Sequence, residues 1–498
     1  MVIAIPRRWL ALLAIMLAFL PVVLDMTILT IAVPTLTLAL GASSTEVLWI
    51  MDIYPLLMAG LLVPMGTLAD RLGNRRLLLI GLMVFGMASL LAALAPTAIL
   101  LFAARVLLAC GGAMIMPCVL GIIRRTFEDE HERAMALGLW GMVAAAGAAL
   151  GPLMGGALLE HFWWGSAFLV NVPIMLVVAP MVVLLLTPDQ ETTRGAWALG
   201  QSLLLIVAML ALIYGIKAAL GATAPLTVAM AIALLGLGLL SLFVRLQLHS
   251  TSPMLDLSLF TRPAILAGTV MAMVTCGALA GVELTLAQEL QYMLGKTPLQ
   301  AATFMIPIMA AAAVGGPLAG YLNSFCCLRW VASASLWLCA AALVLLALAD
   351  LDRPGLWVPA ILAVLGLALS VGLTTASIAI MGSVGADKGA EAGSLEATAY
   401  ELGTALGIAF FGMFMSTAFG HRLELPAELA QPLADRALQS IGDSHVVAQG
   451  LAEPLRTTLI EAAHAAFAKT HALLLMTCSA IMLTLGIFVS VLLKGYKQ

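Results

Sequence analysis

Long apolar stretches separated by short polar breaks occupy nearly the whole chain. The blocks 77–104, 134–159, 218–244, 297–328 and 354–386 contain no Lys, Arg, Asp or Glu. A bilayer-spanning helix needs about 20 such residues, whereas a membrane barrel shows alternating segments of about 10. The pattern predicts fourteen helices, over 9–35, 46–69, 75–95, 98–122, 134–159, 164–187, 197–219, 223–246, 264–290, 298–322, 329–349, 356–384, 391–418 and 470–493. A turn from Asn323 to Arg329 divides the long apolar run 297–349. Most connections are short, as neighbouring helices in a bundle require. The exception, 419–469, is rich in Glu, Asp, Pro and His and is expected outside the hydrocarbon. Within it, 451–469 reads either as an amphipathic helix running into the last span, part of an outer hairpin, or as a passive linker.

Composition excludes a soluble domain. Of 498 residues 63% are hydrophobic and 10% charged, with a mean hydropathy of +1.10, where soluble domains are about half apolar and about a quarter charged. Net charge is −3 and Lys and Arg never run beyond pairs, so the basic footprint of a nucleic-acid partner is missing. The seven cysteines (Cys110, Cys118, Cys276, Cys326, Cys327, Cys339, Cys478) are odd in number. Most lie in apolar segments, which suits packing rather than a disulfide or zinc framework; no metal site is expected. The N-terminus places Arg7 and Arg8 before an apolar stretch that continues past Asp25 with no small-residue cleavage site, reading as an uncleaved first span.

Basic residues orient the spans. With both termini in the cytoplasm, fifteen of the 23 basic residues fall on the cytoplasmic side: Arg7, Arg8, Arg71, Arg75, Arg76, Arg124, Arg125, Arg133, Arg194, Arg245, Arg262, Arg329, Lys388, Lys494 and Lys497. Lys296, Arg353, Arg422, Arg436, Arg456 and Lys469 fall outside. Arg105 and Lys217 stay within spans, Lys217 near enough an end to snorkel. The halves also echo one another, Pro64-Met-Gly66-Thr-Leu68 in the second span resembling Pro317-Leu-Ala-Gly320-Tyr-Leu322 in the tenth. Such repeats commonly flank a transport pathway. The expected organisation is an N-terminal six-helix bundle over 1–188, two inserted helices over 189–250, and a C-terminal six-helix bundle over 251–498 that includes the long outer loop.

Several motifs sharpen this reading. The loop after the second span is Gly66-Thr-Leu-Ala-Asp70-Arg71-Leu-Gly73-Asn74-Arg75-Arg76; its glycines permit close approach and a tight turn. Taken alone it is also an ordinary cytoplasmic turn. The fifth span carries Gly147-Ala-Ala-Leu-Gly151-Pro152-Leu-Met-Gly155-Gly156. Small residues at four-residue spacing let helices approach closely, and Pro152 removes a backbone donor. The fourth span carries Arg105, with Pro117 twelve residues later. The first reads Leu24-Asp25-Met-Thr27-Ile-Leu-Thr-Ile-Ala-Val-Pro34, and the thirteenth Leu395-Glu396-Ala-Thr-Ala-Tyr400-Glu401-Leu-Gly403.

Together these resemble the major facilitator superfamily. The Gly66 to Arg76 loop is similar to its loop signature, with Asn74 where a basic residue is usual. The fifth span resembles its antiporter signature. The fourth resembles its buried-arginine motif, departing at Leu108 and Ala109. The first and thirteenth spans are similar to those of the fourteen-helix drug:proton antiporters, which include quaternary-ammonium and methyl viologen exporters. The resemblance implies an all-α polytopic fold of two six-helix bundles plus two inserted helices. It also implies a cytoplasmic latch of Gly66, Asp70, Arg71, Gly73 and Arg75, partnered by Arg124, Arg125 or Arg133.

A charge at bilayer depth costs about 3 kcal/mol on insertion scales, so it usually marks a pathway or a pair. The acidic candidates for proton and cation binding are Asp25, Asp52, Glu283, Glu396 and Glu401, with Glu289 near the outer end of its span. Arg105 is the buried counter-charge, and either aspartate also reads as its structural partner. Glu396 and Glu401 are offset by about 140° around a helix, so one can line a cavity while the other packs. Tyr54, Trp140 and Tyr400 could offer π faces to a cation, although most membrane aromatics pack or anchor.

The function expected is proton-coupled export of lipophilic cations (quaternary ammonium compounds, dyes, methyl viologen, cationic biocides) from a bacterial-type inner membrane. The proton gradient would drive it with no cofactor, in a monomer surrounded by membrane lipids. Two alternatives stay open on the same fold: export of a native lipid or envelope precursor, and proton-coupled nutrient import. An ATP-driven pump fits poorly, because Gly295-Lys296-Thr297 has Leu290 where the first glycine of a phosphate loop belongs. An enzyme also fits poorly, since no histidine is expected in mid-span.

Overall fold

A computed structural model of the chain describes residues 7–127, 129–186, 199–220, 225–250, 253, 257–352, 355–383, 389–426 and 428–495. These are helical almost throughout, with no strand among the described residues. The first helices are α1 (Arg7–Leu40), α2 (Ser44–Leu72), α3 (Asn74–Ala93), α4 (Ala98–Thr126), α5 (Glu130–His161), α6 (Ser166–Leu169) and α7 (Asn171–Leu185). Then come α8 (Leu199–Leu220), α9 (Leu226–His249), α10 (Pro263–Gln288), α11 (Pro298–Phe304), α12 (Ile306–Phe325), α13 (Leu328–Ala347) and α14 (Trp357–Met381). The chain closes with α15 (Gly389–Gly420), α16 (Gln431–Ala437), α17 (Ile441–Gln449) and α18 (Leu455–Leu492).

Local chemistry sets several boundaries. Ser43 caps α2 and Glu46 reaches back to the Ser43 backbone, a reciprocal box that satisfies two otherwise orphaned donors. Thr297 and Gln300 do the same for α11. Gly73 turns α2 into α3 at φ 92°, a backbone state that side chains rarely adopt.

Twelve helical segments are long and apolar enough to cross a membrane among the described residues. The expected spans 134–159 and 197–219 coincide with α5 and α8, so the two further crossings expected from the sequence rest on those helices. The sixth expected span is divided at Val170 between α6 and α7. The tenth is divided at Met305 between α11 and α12.

The last helix begins well before residue 470. Leu459, Ala463, Ala466 and Phe467 form a buried apolar face, which packs against α17 and carries the helix out into the loop. The 451–469 stretch is therefore largely helical rather than a linker. The rest of the long loop supplies α16 and α17.

Helices α1 to α7 pack mainly among themselves, α1 on α5 and α7, and α4 on α2 and α3. Helices α10 to α18 do likewise, α10 on α14 and α15, α12 on α14, and α13 on α14 and α18. Helices α8 and α9 form a hairpin, and α8 rests on both α2 and α15. The two sets meet through α2 with α15, α5 with α11, and α1 with α10. The position of the expected boundary at 189 lies outside the described residues.

Candidate functional site

Arg105 organises a buried cluster between α1, α2 and α4. Its Nη1 donates to Oδ2 of Asp25 at 2.5 Å and its Nε to the Ile50 carbonyl at 3.2 Å. Both side chains of the ion pair are nearly sealed from solvent. The guanidinium also lies over the Tyr54 ring, 4.5 Å from its centroid. Of the two readings open for Asp25, the structure shows it as the counter-ion of Arg105. Of the two readings open for Tyr54, a π face for a cation or packing, the structure favours packing, with that same arginine seated over the ring. Asp52 is fully buried on α2.

The acids on α10 and α15 stand differently. Glu396 accepts a hydrogen bond from the Tyr400 hydroxyl at 2.5 Å, so that tyrosine serves a carboxylate on its own helix. Glu401 is buried, and its Oε2 has no hydrogen-bond partner among the described residues. Glu283, half-buried on α10, has no basic partner among them. Helices α10 and α15 approach almost backbone to backbone, since a methyl on Gly277 would meet the Gly403 carbonyl at 2.7 Å. Helix α15, which carries Glu401, packs on α2, which carries Tyr54, across the join between the two helix sets.

The glycines of the fifth span bear on this cluster. Methyl groups on Gly147 and Gly155 would each meet α1 at 3.0 Å, on Val23 and Ile28 respectively, and one on Gly151 would collide with Thr27. The row thus seats α5 on α1 along the turns that hold Asp25. Gly156 faces α11, where a methyl would meet Leu299 at 2.8 Å. Pro152 lies inside α5, and Trp140 packs on Phe19 with centroids 5.4 Å apart.

In the candidate latch, Gly73 makes the tight turn expected of it. Gly66 is less crowded, a methyl there reaching Pro117 at an ordinary 3.7 Å. Arg75 donates to the Val183 carbonyl at 2.6 Å, and Arg71 is half-buried. The side chains of Asp70 and of the proposed partners Arg124 and Arg133, as well as Lys217, lie outside those described.

Sequence reasoning missed the end of the bundle that carries the α1–α2 turn, the distal end. The α16–α17 segment covers it. Asp443, fully buried, accepts from the Ser44 backbone N–H at 3.1 Å and from the Ser440 hydroxyl at 2.8 Å. Arg436 donates to the Gly41 carbonyl at 2.9 Å. Beneath Ser440, Ile441 and Gly442 lies a small pocket. Helices α1, α2, α10, α15 and α18 form its walls, with residues such as Thr37, Met51, Thr285, Tyr292, Phe419 and Phe467. His445 stacks on Tyr292 at 5.1 Å and faces His464 at 5.5 Å. Burial, and then the neighbouring His464, push His445 down to about 4.

One histidine is deeply buried, contrary to expectation. His471 of α18 is 3% exposed and lies 2.5 Å from Glu289. The helix begins at Leu455, so His471 is internal to it rather than at its end.

A Major Facilitator Superfamily model matches residues 15–289. The chain belongs to the major facilitator superfamily. Among similar members of that superfamily is the methyl viologen resistance protein SmvA of Salmonella typhimurium (strain LT2), 44% identical over 481 residues, covering 97% of each chain. The multidrug efflux pump LfrA of Mycolicibacterium smegmatis is 36% identical over 467 residues, 93% of this chain and 91% of that one. Among solved structures, a bacterial homolog of the human lysosomal transporter Spinster, inward-facing and occupied, aligns with a TM-score of 0.69. At 17% identity over 99% of this chain and 98% of that one, this likeness is one of fold. The chain is accordingly a multi-span membrane transporter, and the superfamily is not one of enzymes.

Proposed function

We propose that the chain exports lipophilic cations in exchange for protons. The observation that carries this reading is the set of acids on α10 and α15, Glu283, Glu396 and Glu401, with no basic partner among the described residues and with one bare oxygen on a fully enclosed Glu401. An ionised carboxylate in such a place is costly unless a cation arrives. A proton and a lipophilic cation therefore compete for it. The relatives named for methyl viologen resistance and multidrug efflux support the same class of substrate.

In this reading fourteen helices cross a bacterial-type cytoplasmic membrane, the distal end faces outward and both termini face the cytoplasm. Helices α1 to α7 and α10 to α18 rock against each other, with α8 and α9 inserted between them in sequence. Asp25 and Arg105 hold the N-terminal face in a neutral state. Each pH unit of gradient supplies about 1.4 kcal/mol per proton, and each 100 mV about 2.3 kcal/mol per net charge moved. Proteoliposomes with an acidic interior test it: added ethidium should be taken up while the lumen becomes less acidic. Uptake with protons moving in the same direction as the substrate would instead favour an importer, and uptake without proton movement would end the exchange reading.

A further inference from the structure

Two neighbouring histidines at the distal end carry ring nitrogens that no protein group satisfies. Nε2 of His445 on α17 and Nε2 of His464 on α18 are both buried and without a hydrogen-bond partner among the described residues. Other histidines are engaged. His161 and His249 each set Nδ1 against a carbonyl of their own helix, at 3.0 and 2.8 Å. His471 has a partner at each ring nitrogen. A bare buried nitrogen is costly and is normally met by water or an ion. Two of them in adjacent rings, on different elements, point to one shared ligand.

The spacing of the rings suits a metal. Their centroids lie 5.5 Å apart, with planes 33° from parallel. An imidazole bonded to zinc at about 2.0–2.1 Å has its centre about 3.2 Å from the ion, so two on a tetrahedral ion have centres about 5.2 Å apart. The tautomer fits as well. The Tyr292 backbone accepts a hydrogen bond from the His464 ring. With Nε2 bare, that donor is Nδ1–H, which leaves a lone pair on Nε2. Metal-bound imidazoles commonly donate their other N–H to a backbone carbonyl in this way. His445 is pushed down to about 4 by burial and by His464, so at neutral pH it is the uncharged form that binds metal.

The surrounding groups steady the pair without competing for an ion. The Tyr292 ring stacks on His445 at 5.1 Å while its hydroxyl donates to the Pro34 carbonyl at 3.4 Å. Arg436 is turned to Asp443 and to the Gly41 carbonyl, and Asp443 also accepts from Ser44 and Ser440. No third imidazole, carboxylate or thiol joins the two rings among the described residues, so water completes the coordination. Imidazole ligands select zinc and its transition-metal neighbours over Mg²⁺ or Ca²⁺. Both histidines are only half-buried as residues, which leaves a small ion a path inward.

We propose that His445 and His464 form a two-histidine site for a divalent transition-metal ion, Zn²⁺ in the first instance, which fastens the α16–α17 cover to α18. The test uses the full-length protein in detergent, stripped with a chelator and then titrated with Zn²⁺ or Mg²⁺, with hydrogen exchange across residues 431–449 as the readout. This local readout ignores zinc held elsewhere, including at the exposed Cys326 and Cys327. At free Zn²⁺ ten times the dissociation constant found in the titration, exchange in wild type should slow about tenfold. Mg²⁺ should change nothing, and His445→Gln and His464→Gln should each abolish the zinc effect. No slowing in wild type, equal slowing by Mg²⁺, or slowing retained in either variant overturns the site. Should a variant fail to fold, isotope-labelled histidine in the wild type decides: ring signals of His445 and His464 that both shift with Zn²⁺ and return with chelator support the site, and either one unchanged overturns it.

Discussion

Gly151 of α5 packs directly on the Thr27 side chain of α1, two residues from Asp25. A methyl there would collide with the Thr27 hydroxyl and crowd its Cβ at 3.0 Å, so a larger side chain has no room. Gly151→Leu should therefore displace α1 and the Asp25–Arg105 pair with it. Ethidium efflux from energised vesicles should fall about tenfold or more, equivalent to about 1.4 kcal/mol in the limiting step. Gly66→Ala, with an ordinary contact awaiting its methyl, should cost far less under the same assay; equal losses would remove the helix-approach argument.

The Asp25–Arg105 pair predicts a second outcome. Breaking a buried pair from one side leaves an uncompensated charge, a penalty of about 3–5 kcal/mol. Arg105→Ala should lower the thermal unfolding temperature in detergent sharply, and Asp25→Asn should do so less, because Arg105 keeps the Ile50 carbonyl and the Tyr54 ring. The double change Asp25→Asn with Arg105→Met should recover part of the loss. A double variant no more stable than Arg105→Ala would mean that the pair is not the source of the penalty.

Glu401→Gln removes the carboxylate with an unpartnered oxygen while keeping the shape. Gradient-driven efflux should fall at least about tenfold, whereas energy-independent exchange of labelled tetraphenylphosphonium across the membrane should persist. Unchanged gradient-driven efflux would take Glu401 out of the exchange.

The distal cover should loosen in acid. His445 titrates near 6.5 when free and is pushed down to about 4 in place, so the undocked segment binds the proton more readily than the docked one. Docking is then fully favoured above about 6.5 and is progressively lost as pH falls toward about 4. Hydrogen exchange across residues 431–449 should rise over that window, and His445→Gln should flatten the rise.

Much of the fold was legible in the sequence because bilayer thickness dictates helix length, so uninterrupted apolar runs locate the helices directly. The antiporter-like glycines were legible for a related reason: four-residue spacing puts them on one face, and that face meets α1. That Asp25 pairs with Arg105 was not legible, since it depends on how α4 is rotated against α1. The Glu289–His471 pair was missed because its members are 182 residues apart and because His471 looked terminal until α18 proved to begin at Leu455. The distal cover was missed because α16 and α17 are short, mixed in polarity and held by a backbone N–H at Ser44, a donor that no side-chain pattern reveals.

Helix α18 runs without interruption for 38 residues, about 57 Å at 1.5 Å per residue, nearly twice the hydrocarbon depth of about 30 Å. Its first turns touch the cover and its last lie at the opposite boundary, with His471 between. The same unbroken helix also packs along α13, so the cover at the distal end is tied to the C-terminal set of helices by one continuous element rather than by a hinged loop.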